Sequence, residues 1–157
     1  MKKQTGATPM DAALKYLTPR ARTVREMERH LDSLNYGEYE VYQVVERLKE
    51  LGYLDDQRFA EDFVRTRLNT KPVSRRKLRE QLLEHQLEPL CVQAALETVT
   101  DEIELNNAIA VAEKFARQLA DLEPEIQKER TLKRLDSRGY CYDTARQAWD
   151  QINENQE

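Results

Sequence analysis

The chain has 157 residues, 34% of them charged, with 25 Lys and Arg against 29 Asp and Glu for a net charge of −4. That length fits one ordinary domain or a few small repeated units, and the charge balance excludes a generally basic nucleic-acid coat. Only four glycines and five prolines stand among abundant Ala, Leu, Glu, Gln, Lys and Arg, which predicts helices nearly throughout and leaves little support for strands.

The opening MKKQTGATPM lacks the apolar core that follows the charges of a signal peptide. No apolar run approaches the roughly 20 residues that a membrane helix needs, so a soluble, cytoplasmic protein with no membrane contact is expected. Residues 1–8 read as a flexible tail. Pro9 marks the start of a helix over 10–18, and Thr23 with Glu26 makes a capping box for a second over 24–34. In VYQVVERLKELGY the residues Val41, Val44, Val45, Leu48 and Leu51 recur at helical spacing, predicting a helix over 40–51 that Gly52 stops.

Next comes GYLDDQRFAEDFVRTR, with two adjacent carboxylates. Acidic pairs serve as metal ligands and as general acids and bases, but here local structure accounts for them. If Gly52 is the left-handed residue after the helix, Tyr53 falls where a Schellman ending sets an apolar side chain against Leu48. Asp55 is then the N-cap of a helix over 56–69, and Asp56 at its first position favours the positive end of its dipole. Leu54 before the cap and Phe59 inside it have the spacing of a hydrophobic staple, which predicts a buried ring at Phe59. The set Gly52, Tyr53, Leu54, Asp55, Asp56 and Phe59 is therefore read as structural.

Ser74 opens a helix over 75–85, followed by one over 89–98; Pro124 opens a helix over 125–138 between helices at 102–121 and 142–153. Cys91 and Cys141 have no Cys-x-x-Cys partner and read as ordinary helix residues, while His30 and His85 are isolated. No metal and no cofactor are expected.

The endings LDSLNY, LLEHQL and LDSRGY each place a leucine five residues before an apolar residue, with Asn35, Gln86 or Gly139 between. Asn and Gly suit the left-handed position and Gln suits it poorly. This recurrence at about fifty residues predicts repeated units that must stack to bury their apolar faces. The expected architecture is all-α: three tandem three-helix repeats at 9–54, 55–100 and 101–157, forming an elongated, curved array.

Charge is segregated. Residues 65–79 carry Arg65, Arg67, Lys71, Arg75, Arg76, Lys77 and Arg79 without an acid, whereas 97–113 has five acids and no base. Three cations in the first turn of a helix oppose its dipole, which suggests an external anionic partner, and the seven bases are the candidate partner-binding set. Replacing Arg75, Arg76 and Lys77 by Glu is expected to weaken that binding and leave the fold intact. No phosphate loop, nucleophile elbow or acid/base cluster is present, so there is no catalytic residue set.

GYLDDQRFAEDFVRTR, SRRKLREQLLEHQL and LKRLDSRGYCYDTARQAW together resemble the bacterial RecX family, over roughly residues 11–153. Gly52-Tyr53-Leu54-Asp55-Asp56 with Phe59, Ala60 and Arg67 is the most specific part, and Arg138-Gly139-Tyr140 with Tyr142-Asp143 supports it. The middle departs from the family, having Lys71-Pro72-Val73 where a glycine is common and His85-Gln86-Leu87 for a Lys-Gly-Ile-like ending. The resemblance implies a monomeric, non-enzymatic regulator of recombination, DNA repair and the SOS response. It would bind RecA and lie along the groove of the RecA–DNA filament, limiting filament growth, ATP hydrolysis, strand exchange and coprotease activity, with a weak direct contact to DNA left open. Two other readings stand beside it. A helix-turn-helix module would bind bare duplex with a steep salt dependence, and a helical scaffold for another protein would bind neither RecA nor DNA.

Overall fold

The computed structural model describes residues 6–154; the expected tail at 1–5 lies outside the described residues. Within these bounds the chain is all-α, with nine helices and no strand: α1 Pro9–Leu17, α2 Val24–Ser33, α3 Glu38–Glu50, α4 Asp56–Thr70, α5 Arg75–Glu84, α6 Pro89–Leu96, α7 Asp101–Gln118, α8 Pro124–Ser137 and α9 Tyr142–Glu154. Residues 7 and 8 are not loose: the Tyr36 hydroxyl donates to the Ala7 carbonyl at 3.0 Å, and Thr8 caps α1 in a box with Asp11.

Helices α2, α5 and α8 start where the chain supplies an acceptor for an orphan amide or a proline that has none. Thr23 and Glu26 form the expected capping box, Ser74 Oγ accepts from the Lys77 amide at 3.1 Å, and Pro124 is the first residue of α8. Cys141, read with Cys91 as an ordinary helix residue, stands just before α9. Its carbonyl accepts the Ala145 amide and its Sγ lies 3.2 Å from Thr144 Oγ1, at the mouth of α9.

The three recurrent endings share one backbone device. Asn35, Gln86 and Gly139 take φ of 66°, 64° and 92°, and each donates its amide to the carbonyl three residues back, at 2.9 to 3.0 Å. Gln86 makes the same bond as the other two although it is neither Gly nor Asn. Helix α7 ends at Gln118, three residues before the expected end. Leu119, Ala120 and Leu122 tighten into bonds three residues back, and Gln127 Nε2 donates to the freed carbonyls of Ala120 and Leu122.

The chain divides into two compact units, one running up to Asp62 and including Leu82–Val92, the other made of Phe63–Gln81 and the chain from Gln93 onward. In the first, α1, α2 and α3 pack on one another around Ala13, Met27, Leu31, Val44, Val45 and Leu48. In the second, α7, α8 and α9 do the same around Ala108, Ala112, Leu135, Tyr140, Ala148 and Trp149. Each fully buried Leu or Met contributes roughly 1.5 to 3 kcal/mol of apolar transfer. Short three-helix bundles reach stability through such burial and not through helix propensity.

Candidate functional site

The Gly-Tyr-Leu-Asp-Asp stretch sits in the first unit. Gly52, at φ 80°, donates to the Lys49 carbonyl at 3.0 Å, and the Tyr53 amide donates to that of Leu48 at 2.9 Å, completing the Schellman pair. The apolar partner differs from the expectation: the Tyr53 ring is 58% exposed, and Leu54, at 2%, is the side chain that enters the core. Asp55 caps α4, accepting from the Arg58 amide at 3.1 Å.

Asp56 does something the sequence did not reveal. Its Oδ1 accepts the Val24 amide at 2.9 Å, so it serves the first amide of α2 across 32 residues of chain instead of only the dipole of its own helix. Burial raises the Asp56 carboxyl, an effect that the Val24 bond and Lys49 oppose. Phe59 is half-buried, not fully buried, and meets the His85 ring edge-on at 5.1 Å.

That histidine belongs to a cluster at the start of α2. Its Nδ1 lies 3.2 Å from Glu26 Oε2, and the Thr23 hydroxyl donates to its carbonyl at 2.8 Å. Burial pushes the Glu26 carboxyl up, but its bond from the Thr23 amide, His85 and Arg20 together bring it below the ordinary carboxylate range. Among the described residues no group of three or more His, Cys, Asp or Glu is arranged to hold a metal ion.

All seven bases of the candidate set lie in the second unit, and the structure divides them by what they touch. Arg75 turns onto the start of α7, donating to Asp101 Oδ1 at 2.6 Å, to Glu104 Oε2 at 3.3 Å and to the Val99 carbonyl at 3.1 Å. The Arg75 amide donates to Glu104 Oε1 at 3.0 Å. The anion at the positive end of α5 is therefore an internal carboxylate. The Asp101 bond, ahead of burial that opposes it, holds the Arg75 guanidinium above its ordinary range.

Lys77 and Arg76 find the opposite kind of partner, the negative end of α8. Lys77 Nζ donates to the Ser137 carbonyl at 2.7 Å and Arg76 to that of Gly139 at 3.4 Å, while the Ser74 amide donates to the Arg138 carbonyl at 2.9 Å. A Cβ on Gly139 would sit 2.3 Å from Ser74 Oγ and 3.0 Å from Lys77 Cβ, so that glycine is needed for space as well as for its φ. The Arg-Gly-Tyr turn and the basic start of α5 thus form one joint. The charge segregation between 65–79 and 97–113 was the available signal; read as two neighbouring surfaces, it is in part an internal ion pair.

The other cations face outward. Arg65, Lys71 and Arg79 are exposed, and Arg67 is half-buried with its guanidinium 5.5 Å from the Phe63 ring centre. The exposed Arg76 side chain reaches solvent beside its single long carbonyl bond.

Two sequence profiles match the chain, one of the first three-helix domain of RecX over residues 10–48 and one of the second over 55–96. The chain is 33% identical to the regulatory protein RecX of Trichlorobacter lovleyi, covering 88% of this chain and 92% of that one. It is 29% identical to the regulatory protein RecX of Bacillus subtilis over 92% of this chain and 55% of that one. A relative of the same name from Leuconostoc citreum is 26% identical, again over 55% of its length, so the chain spans about half of these longer relatives. The crystal structure of RecX from Lactobacillus salivarius superposes with a TM-score of 0.80 at 25% identity, covering 92% of this chain and 94% of that one.

Proposed function

This chain belongs to the RecX family, and on that ground we propose that it is a regulator of homologous recombination and DNA repair that acts by binding RecA and its filament on DNA. It limits filament extension, and with it ATP hydrolysis, strand exchange and coprotease activity, and it works in the cytoplasm as a monomer by association and not by catalysis. The observation that carries the reading is the 33% identity to a regulatory protein RecX over nearly the full length of both chains.

The filament contact is assigned to the basic run of Arg65, Arg67, Lys71, Arg75, Arg76, Lys77 and Arg79, and within it first to Lys71 and Arg79, whose side chains are exposed. What supports this choice is that Arg75 and Lys77 already have short bonds to Asp101, Glu104 and the end of α8. A cation already paired offers less to a partner, whereas an exposed one steers encounter with an acidic surface.

The test is to measure binding to RecA filaments, to free RecA and to bare single- and double-stranded DNA side by side, together with RecA ATPase. Binding to filaments with a fall in ATPase is expected. Tight, steeply salt-dependent binding to bare duplex without any effect on RecA would favour a helix-turn-helix reader of DNA; binding to none of them would favour a scaffold for a different protein.

A further inference from the structure

A cleft of about 430 Å³ opens in the second unit where the ends of α4, α7 and α8 meet. Its floor is apolar, formed by Val111, Phe115 and their neighbours, and its rim carries Lys71, Lys114, Arg134 and Arg138 with no acid among the lining residues. Lys71, Lys114 and Arg134 are exposed and Arg138 is half-buried. Among the described residues none of the four is in an ion pair, in contrast to Arg117 and Lys133 nearby in sequence, which pair with Glu113 and Glu129.

Part of this arrangement has a local explanation. Arg138 donates to the Pro72 carbonyl at 3.1 Å, and the Arg134 guanidinium lies 4.4 Å from the Phe115 ring centre. Lys71 and Lys114 have no such bond. Burial, and then the like charge of Arg134, lower the Arg138 guanidinium from its ordinary range, with Tyr140 opposing them.

We infer that this cleft is a docking site for an acidic peptide segment of a partner protein, one carboxylate meeting the Lys71–Lys114 rim while an adjoining apolar side chain covers the floor beside Val111 and Phe115. Two observations favour a peptide over a nucleic acid. The second unit as a whole is nearly neutral, with 15 basic and 14 acidic side chains among its described residues 63–81 and 93–154, so beyond the acid-free run at 65–79 and this rim its cations are interspersed with acids and give little further footing for a run of phosphates. Phe115 is the aromatic residue of the lining, and the Arg134 guanidinium already lies over one face of its ring, which leaves less of it for a stacked base. An apolar floor under a cationic rim instead matches the mixed chemistry of peptide sites, with an apolar anchor for area and a charge for orientation.

The probe is a fluorescein-labelled ten-residue peptide of Asp and Glu with one central Phe, titrated by anisotropy into the full chain at physiological salt. Controls are the same peptide with Phe replaced by Ala, the peptide with amides in place of its carboxylates, and a ten-nucleotide oligo-dT. Lys71→Glu and Lys114→Glu, both at exposed positions, are each expected to weaken peptide binding by about tenfold or more, with circular dichroism and melting unchanged. Arg146→Glu, an equal charge change outside the cleft, should bind as the parent chain does, and the Phe-to-Ala peptide should bind less well. A peptide that does not bind, binds equally to Lys114→Glu, or is displaced by oligo-dT at lower concentration than by itself overturns the inference. The peptide assay contains no RecA, so the cleft and the proposed RecA function fail or survive separately.

Discussion

Gly139 and Gly52 share a left-handed backbone but differ in surroundings, which separates two costs that glycine substitutions usually mix. At Gly52 an added Cβ would meet nothing within 4 Å, so Gly52→Ala should cost only the conformational term, about 1 to 2 kcal/mol. At Gly139 the same Cβ would press on Ser74 and Lys77, and Gly139→Ala should cost a further 1 to 3 kcal/mol or so of overpacking; urea denaturation of the two variants checks the difference. Gln86, at φ 64° with its Oε1 buried and unbonded, predicts the opposite sign. Gln86→Gly should stabilise by about 0.5 to 1 kcal/mol. Phe59 is half-buried, so Phe59→Ala should fall below the roughly 3 to 5 kcal/mol of a fully buried ring.

The His30 imidazole stacks on Tyr16 at 3.9 Å, and the Arg22 guanidinium lies over the same ring at 3.9 Å. Burial, and then Arg22, lower its pKa. The folded state therefore binds fewer protons at this site than the unfolded one, whose imidazole titrates near 6.5. Its contribution to stability is fully present above that pH and is lost as pH falls through the lower folded value. His30→Gln should flatten the dependence of the urea midpoint on pH between about 7 and 5; an unaltered slope would assign it to other groups.

At the level of elements, the first turn of α5 decides more than its own helix. Acids suit a helix start, so the sequence alone predicts that Arg75, Arg76 and Lys77 tolerate replacement by Glu. The partners in place reverse this: a carboxylate at 75 would face Asp101 and Glu104, and one at 77 would face the Ser137 carbonyl. The triple Glu variant should lose roughly 2 to 4 kcal/mol of stability, allowing for the solvent exposure of the Arg75–Asp101 pair, and its melting midpoint should drop accordingly. The start of α2 depends on α4 in a similar way. Asp56→Ala removes the acceptor of the Val24 amide and should cost about 1 to 2 kcal/mol, while a chelator added to the parent chain should leave its midpoint unchanged.

For the whole molecule, these positions allow binding to be separated from folding. Lys71→Glu and Arg79→Glu together change two exposed side chains. They should weaken association with RecA filaments and relieve ATPase inhibition while melting stays at the parent value. The Arg75, Arg76 and Lys77 triple should lower both, and a result in which the exposed pair alters nothing at physiological salt would move the filament contact off the basic run.

The all-helical class and the helix positions were legible in the sequence because they are set by local chemistry: Thr23 with Glu26, Ser74, Pro124, and residues able to hold a positive φ at 35, 86 and 139 act within one or two turns. The family was legible because its motifs are these same caps and endings. What only the tertiary structure decided is where each charge goes. Asp56 and Val24 are 32 residues apart, Arg75 and Glu104 are 29, and Lys77 and Ser137 are 60. No periodicity encodes such partners, since a carboxylate at a helix start has the same sequence signature whether it caps its own helix or another one. The sequence could therefore show that cations and acids were segregated, but their division into a structural joint and an open surface depends on which helix ends the packing brings within about 3 Å, the reach of a hydrogen bond.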